Sequence, residues 1–401
     1  MSDTTQLEPV IIVGGGPVGM ITALALEGSG VPVTLLESGP DELRSEWRGS
    51  TVHPPTVAIL AELGLADDIL SEAVRLERLT YRDLELEGEA SFSYSLLSGQ
   101  TPYPFRLQYE QYKLVRLLKK ALVDREVTTL YNSKVVGLRQ DDDAVYLDVE
   151  TSEGTRALGG RWVIAADGAH STIRHILDVP FPGFTYPLQS LVAATAFDFE
   201  SYFPQLPAVS YWTGPRGRFS LIRTPDIWRI ALSTSTTSDE TYVRDGSRPH
   251  ADFIADIELL FKGEVDPLSI ELQQHQMYRT HQRLAETFKV GRVLLAGDAA
   301  HLSSTTGGMG LNSGIHDASA LSRAFGEPDL EAALESYAYG RRRMAEQVIQ
   351  PMTTQSRQRT DLASVEARQQ RLTDMIQLAS HEESAREHLI GTSMLRVSGL
   401  A

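Results

Sequence analysis

Cysteine is absent from all 401 residues. That excludes disulfides, thiolate zinc centres, iron–sulfur clusters and a cysteinyl-flavin link. Positive charge is scarce, with 37 Lys and Arg against 53 Asp and Glu and a net charge of −16. An acidic surface repels phosphate backbones and anionic lipids, so neither nucleic acid nor a membrane surface is an expected partner. Any anionic cofactor must be held by local geometry that overrides this field. Long apolar runs are missing too. The nearest, Val10 to Leu26, is interrupted by Gly14, Gly15, Gly16, Pro17 and Gly19, whereas a membrane span needs roughly 20 apolar residues. The N-terminus carries no basic cluster ahead of this run, so no signal peptide is indicated and a cytoplasmic address is expected. No histidine pair stands at ligand spacing beside carboxylates, and no metal is expected.

What is present is an alternation of strands and helices. Val10-Ile11-Ile12-Val13 is a continuous apolar run, as in a parallel strand buried on both faces. A glycine cluster, a helix from about Val18 to Glu27 and a strand from Val31 to Leu36 complete a βαβ unit. Thr56 reads as the N-cap and Gly64 as the C-cap of a helix through Leu63, and Gln111 to Leu122 as an amphipathic helix. Lys134–Leu138 and Ala144–Glu150 read as strands turned at Asp141-Asp142-Asp143, and Trp162–Ala166 as a further buried strand. From about Leu188 to Ser235, β-branched and aromatic residues broken by Gly and Pro predict a separate sheet, with a covering helix over Phe253–Phe261. Val290–Ala296 returns the chain to the first sheet. Beyond Leu330 the spacing is helical. Leu334, Tyr337, Met344 and Val348 share a face, Pro351 marks a break, and Leu362, Val365, Leu372 and Ile376 continue the stripe. Such stripes are expected to be core packing, and Arg341-Arg342-Arg343 a solvated helix face.

Three motifs carry chemistry. Gly14-Gly15-Gly16-Pro17-Val18-Gly19 is a G-x-G-x-x-G between strand and helix. Gly14 permits the tight turn, Gly16 lets backbone approach a pyrophosphate, and Gly19 lets helix and strand pack closely. The helix N-terminus offers free N–H groups to the phosphates, and Glu37, closing the second strand, can accept from a ribose diol. Ala166-Asp167-Gly168-Ala169-His170-Ser171-Thr172-Ile173-Arg174 also follows a buried strand. The third motif, Gly297-Asp298-Ala299-Ala300-His301, precedes the glycine-rich Gly307-Gly308-Met309-Gly310-Leu311-Asn312 at the start of a helix. Asp298 can hold a ribityl or ribose hydroxyl, and the helix can aim its N-terminus at a ring that becomes anionic on reduction.

In this order the three segments resemble the single-component FAD-dependent aromatic hydroxylases, the family that includes para-hydroxybenzoate hydroxylase. Gly14, Gly16, Gly19 and Glu37 match the fingerprint, Asp167, Gly168, Ser171 and Arg174 the D-G-x-x-S-x-x-R segment, and Gly297, Asp298 and His301 the G-D-A-A-H segment. Arg48 and Gln111 resemble family positions that contact FAD. The resemblance implies an α/β fold: a Rossmann-like FAD-binding domain with a parallel sheet (1–75, 105–187 and 275–330), an inserted mainly antiparallel substrate sheet (76–104 and 188–274), and C-terminal helices (331–401). It implies FAD held by Gly14, Gly16, Pro17, Gly19, Glu37, Arg48, Gln111, Asp167, Asp298, Gly310, Leu311 and Asn312. NAD(P)H is implied as a transient co-substrate, because no second dinucleotide fingerprint is present. Reduced flavin takes O₂ to a C4a-hydroperoxide that hydroxylates a small aromatic or N-heteroaromatic ring.

The family commonly has two prolines shortly after G-D-A-A-H, where this chain has Ser304 and Thr305. Thr305 is the first candidate to bond the substrate's polar group. Tyr211, Trp212, Phe219 and Arg223, on the expected substrate sheet, are further candidates to line the pocket, with core packing as the plain alternative. His301 is expected to support the site or pack. A lysine early in the chain and a W-x-W-x-I-P segment would mark a flavin halogenase. The first lysine is Lys113 and that segment is absent. A non-catalytic FAD or NAD(H) redox sensor and another FAD oxidoreductase of the same fold stay open at this point, as does the choice between monomer and homodimer.

Overall fold

A computed structural model describes residues 7–43, 49–234, 251–358 and 364–397. Arg48 and Leu362 lie outside the described residues.

The apolar run Glu8–Val13 is the centre of a parallel sheet, flanked by Gly154–Ala165 on one side and Val33–Leu36 on the other. Thr128–Leu130 extends the second flank, and Val293–Leu295 the first. Ile11 and Ile12 are 0% exposed, because helices cover both faces and no side chain of this strand reaches water. Lys289–Val290 and Val293–Leu295 form a tight hairpin where one strand was expected, and Gly291 makes its turn at φ +57°. Lys134–Gln140 and Val145–Thr151 are the expected hairpin, paired onto the outer half of Gly154–Ala165.

The second sheet runs, in spatial order, through His301–Leu302, Gln274–Leu284, Gly183–Thr195, Trp228–Ser233, Gly217–Arg223, Val209–Gly214, Arg78–Asp83 and Ala90–Ser93. Every pair is antiparallel except Val209–Gly214 with Arg78–Asp83. Its strand pairing passes the expected limits at 188 and 275, since Gly183–Thr195 and Gln274–Leu284 pair with each other. Pairing is satisfied only across a whole strand, so the sheet edge rather than the composition change sets the boundary. On one face, Trp212, Phe219, Leu221 and Trp228 pack with Phe253 and Ile257 of the covering helix Ala251–Phe261. On the other, Leu79, Phe92 and Val209 meet Met375 and Leu389 from the C-terminal helices Val365–Ser380 and Glu382–Thr392.

Four local expectations are corrected. Pro54, not Thr56, opens the helix Pro54–Glu62, whose N-cap is His53. Proline suits the first helical position because its missing N–H is unused there. Pro351 does not end the helix. A wide turn of five residues, Ala345–Ile349, precedes it and lets Gln350–Gln358 continue, as such a turn shifts the backbone bonds that proline would break. Arg341 is 4% exposed, so only Arg343 of the three arginines is a solvated face residue. In Val365–Ser380 the buried stripe is Arg368, Leu372 and Met375, while Val365 and Ile376 are exposed.

Candidate active site

Gly14 has φ +110°, and a Cβ there would lie 2.4 Å from the Ala166 carbonyl oxygen. A Cβ on Gly19 would meet the Gly14 carbonyl oxygen at 1.9 Å. Turn, helix and neighbouring strand end therefore touch backbone to backbone, which only glycine allows. Gly16 differs, since nothing lies within 4 Å of its Cβ position. The free space faces the first turn of Pro17–Gly28, whose leading N–H groups have no partner within the helix. Glu37 accepts from Gly15 N–H at 2.7 Å and Gly39 N–H at 2.6 Å, and the Ser38 hydroxyl lies 3.2 Å from it. It braces the turn and keeps about one of its roughly four acceptor sites for a ligand hydroxyl.

Asp167 follows the strand Gly154–Ala165. Its Oδ2 accepts from Ile173 N–H at 3.2 Å, while Oδ1 is buried without a partner. Burial raises this carboxyl's pKa. An orphaned buried acceptor beside the glycine turn is a place for a cofactor donor to fill. Arg174 donates to the carbonyls of Ala169 and Ala299, each at 2.9 Å, and so ties the second motif to the third. Asp298 is exposed while Ala296, Gly297, Ala299 and Ala300 around it are buried. Gly308, at φ +68°, caps the helix Met309–Phe325. Gly310 meets only Ser303 Oγ, at 4.0 Å, and Leu311 is half-buried beside it. The Asn312 side chain is fully used within the protein: Oδ1 accepts from His53 N–H at 2.9 Å, and Nδ2 donates to Thr51 and Gly308 carbonyls at 2.9 and 2.6 Å. It shapes the wall at the start of the helix, where the leading backbone N–H groups through Leu311 have no partner within the helix. The Gln111 side chain lies beside Gly49. These features, an orphaned carboxylate oxygen, an open glycine turn and two helix N-termini, fit a flavin dinucleotide.

A cavity with about 580 Å³ of empty space lies between the second sheet, the N-terminus of Met309–Phe325 and the C-terminal helices. Tyr211 lines it together with Tyr81, Arg106, Arg218, Arg371 and His388. Three arginines line it, and among the described residues no carboxylate does. Arg106 and Arg218 are 2% and 7% exposed, and the Nε of each is buried without a partner. Arg223 does not line this cavity; its guanidinium lies 5.7 Å from the centre of the Trp228 ring. Trp212 and Phe219 are core, edge to face at 5.8 Å. Residues on a strand alternate faces. With Phe219 in the core, Arg218 must face the cavity, and that signal was available in the sequence.

The Ser-Thr departure resolves in an unexpected way. Thr305 is exposed, with its hydroxyl 3.2 Å from that of Tyr278. Thr306 lines the cavity and accepts from Arg218 Nη1 at 2.6 Å. Ser304 is buried and donates to Thr306 Oγ1 at 3.1 Å. Thr305 and Thr306 thus face different ways, Thr305 toward Tyr278 and the surface and Thr306 toward Arg218 and the cavity.

Beneath the third motif lies a charged network that the sequence did not disclose. Asp317, 0% exposed, accepts from Gly297 N–H at 2.9 Å, His301 Nε2 at 2.8 Å and Arg341 Nε at 2.6 Å. Burial pushes its carboxyl upward, but Arg341 and His301 overcome this and hold it well below the usual carboxylate range. His301 also stacks on Phe288 at 5.9 Å. The anion fixes Gly297 at φ +59°, and with it the position of Asp298.

A parallel sheet that carries three glycine-containing turns, beside a second sheet that borders a partly open cavity at a helix N-terminus, is the architecture of a flavin oxidoreductase. Residues 8–352 match the FAD binding domain family, and the chain belongs to it. The chain is 32% identical over 359 residues to para-nitrophenol 4-monooxygenase of Pseudomonas sp. (strain WBC-3), covering 87% of this chain and 86% of that protein. It is 31% identical to a 6-hydroxy-3-succinoylpyridine 3-monooxygenase of Pseudomonas putida, covering 85% and 86%. The crystal structure of p-nitrophenol 4-monooxygenase from Pseudomonas putida DLL-E4 superposes with a TM-score of 0.88 at 28% identity, over 97% of this chain and 98% of that one. The chain is an FAD-dependent aromatic monooxygenase that uses NAD(P)H and O₂. Among the described residues no helix is long and apolar enough to cross a membrane.

Proposed function

We propose that the substrate is a small phenol-type aromatic bound as its anion in the cavity between the second sheet and the C-terminal helices. The observation behind this reading is a cavity faced by Arg106, Arg218 and Arg371 with no carboxylate among its lining residues. Arg106 and Arg218 are buried, each with an Nε that has no partner, and a bound phenolate offsets the cost of that burial. The same charge favours the ionised ring, which is richer in electrons and easier to hydroxylate. Tyr211 and Tyr81, with ring centres 5.6 Å apart, supply an aromatic wall.

Glu37, the Gly14–Gly19 turn, Asp167 and Asp298 hold the dinucleotide in this reading, with Gln111 near it. In this reading the free backbone N–H groups of Gly310 and Leu311 face the ring, with Asn312 shaping the wall beside them. Once reduced by NAD(P)H, bound FAD supplies the oxygen-activating chemistry. The protein's part is to orient the aromatic, hold its anion and exclude water.

The test is to titrate FAD-loaded enzyme with para-nitrophenol and with nitrobenzene, which lacks the ionisable hydroxyl. Binding of the phenol at least about ten-fold tighter, corresponding to roughly 1.4 kcal/mol, is expected, with an O₂-dependent rise in NAD(P)H consumption and a hydroxylated product. Equal binding of the neutral compound would overturn the anion reading.

A further inference from the structure

The C-terminal helix Val365–Ser380 brings Arg371 and Met375 into the cavity wall. What fixes that helix on the sheet is a buried charge cluster one turn away. Arg368 is 1% exposed. Its Nη1 donates to Asp83 Oδ1 at 2.7 Å and its Nη2 to the Glu85 carboxylate. Asp83 is held in turn, since Oδ1 accepts from Glu85 N–H at 2.9 Å and Oδ2 from the Thr213 hydroxyl at 2.8 Å.

Two periodicities connect this cluster to the cavity. Asp83 and Tyr81 stand two apart on one strand, Thr213 and Tyr211 two apart on its neighbour, and the register pairs Thr213 with Asp83 and Tyr211 with Tyr81. Residues two apart on a strand share a face. Arg368, Arg371 and Met375 lie three and seven apart, on one face of the helix. The same two surfaces therefore carry the ion pairs at one end and the cavity walls at the other, about 10 Å along the helix axis at ~1.5 Å per residue.

We propose that Arg368 is a positioning residue for the substrate site: its forked ion pair with Asp83 and Glu85 sets where Arg371 and Met375 stand opposite Tyr81 and Tyr211. Arg368 does not touch the substrate. Its planar guanidinium fork holds two carboxylates in fixed directions, whereas a lysine ammonium is a point charge with rotatable donors and fixes neither direction. The cluster thus sets the register of helix against sheet, while the apolar contacts of Leu372, Met375 and Leu389 supply adhesion. The proposal rests on the aromatic-substrate reading of the cavity, and its test separates the two.

Arg368→Lys keeps the charge and loses the fork. In FAD-loaded Arg368→Lys, FAD content is expected to stay at the wild-type level. The Kd for para-nitrophenol should rise at least about five-fold, KM should rise more than kcat falls, and less product should form per NAD(P)H consumed. A crystal structure of the variant should show Arg371 and Met375 displaced relative to Tyr81. Should Arg368→Lys not accumulate as folded protein, Glu85→Gln, which leaves the Asp83 arm intact, is expected to give the same pattern at about two-fold. A lowered Tm with Kd, KM and coupling unchanged, or a structure with Arg371 and Met375 in place, would overturn the proposal and leave Arg368 a stability residue only. If wild-type enzyme binds no phenol, the substrate reading fails, and the position of Arg371 and Met375 in the variant structure still decides the role of Arg368.

Discussion

At the scale of single residues, the glycine turn contains two kinds of glycine, and substitution should separate them. Gly14→Ala places a Cβ 2.4 Å from a carbonyl oxygen at φ +110°, so both folding and FAD binding should suffer. In Gly16→Val the added Cβ meets nothing within 4 Å. Apoprotein Tm should change little, while FAD affinity falls because the side chain occupies the phosphate's approach. Calorimetry of apoprotein alongside a flavin titration checks both, and a Gly16→Val protein with normal FAD affinity would contradict the assignment. Asp298→Ala, which removes a charge-assisted hydrogen bond worth roughly 1.5–3 kcal/mol, should weaken FAD binding about ten-fold or more. The adjacent threonines form a second contrast. Thr306 accepts from Arg218 inside the cavity and Thr305 is exposed. Thr306→Val should lower kcat/KM at least about five-fold through loss of roughly 1 kcal/mol, with Thr305→Val near wild type. The reverse ranking would restore Thr305 as the substrate contact.

At the scale of elements, buried charges do the joining. Arg341 of the helix Leu330–Met344 pairs with Asp317 of Met309–Phe325. Arg341→Met leaves a buried carboxylate without its main partner and should cost about 3–5 kcal/mol in denaturant unfolding. Asp317 is held below the ordinary carboxylate range by Arg341 and His301. Its contribution is present above the unfolded carboxylate pKa and is lost as pH falls toward the folded value. Asp256, on the helix Ala251–Phe261, behaves oppositely. Burial raises it to about 6, against the pull of Arg216. A raised carboxyl contributes most below its unfolded pKa of 3.8 and loses that contribution as pH rises through about 6. Replacing it by Asn, which does not titrate, should therefore gain up to ~3 kcal/mol relative to wild type between pH 4 and 7. Unfolding curves that keep a constant offset across this range would show that Asp256 titrates normally.

At the scale of the molecule, the cavity lies where sheet, flavin-side helix and C-terminal helices meet, so it is complete only when all three are docked. With the aromatic absent, NAD(P)H oxidation should be slow, and the true substrate should accelerate it strongly. Oxidation at full rate without any aromatic would point to an oxidase instead. The net charge of −16 makes the arginine-lined cavity a local exception to a repulsive field. Added salt should therefore change the rate of phenolate association more than the rate of its release.

The sequence by itself determined the parallel sheet and the flavin class. Glycines at fixed spacing and an aspartate at a strand end act through local backbone geometry, and local geometry is written in consecutive residues. It also placed Tyr211 on the substrate sheet. Tertiary structure alone decided which of the adjacent Thr305 and Thr306 faces the cavity, putting Thr306 there. It buried Arg341 against Asp317 and Arg368 against Asp83, and it brought His388 to Tyr81 across more than three hundred residues. A buried arginine and a solvated one look alike in sequence, because the difference is whether a distant carboxylate arrives, and only packing brings it there.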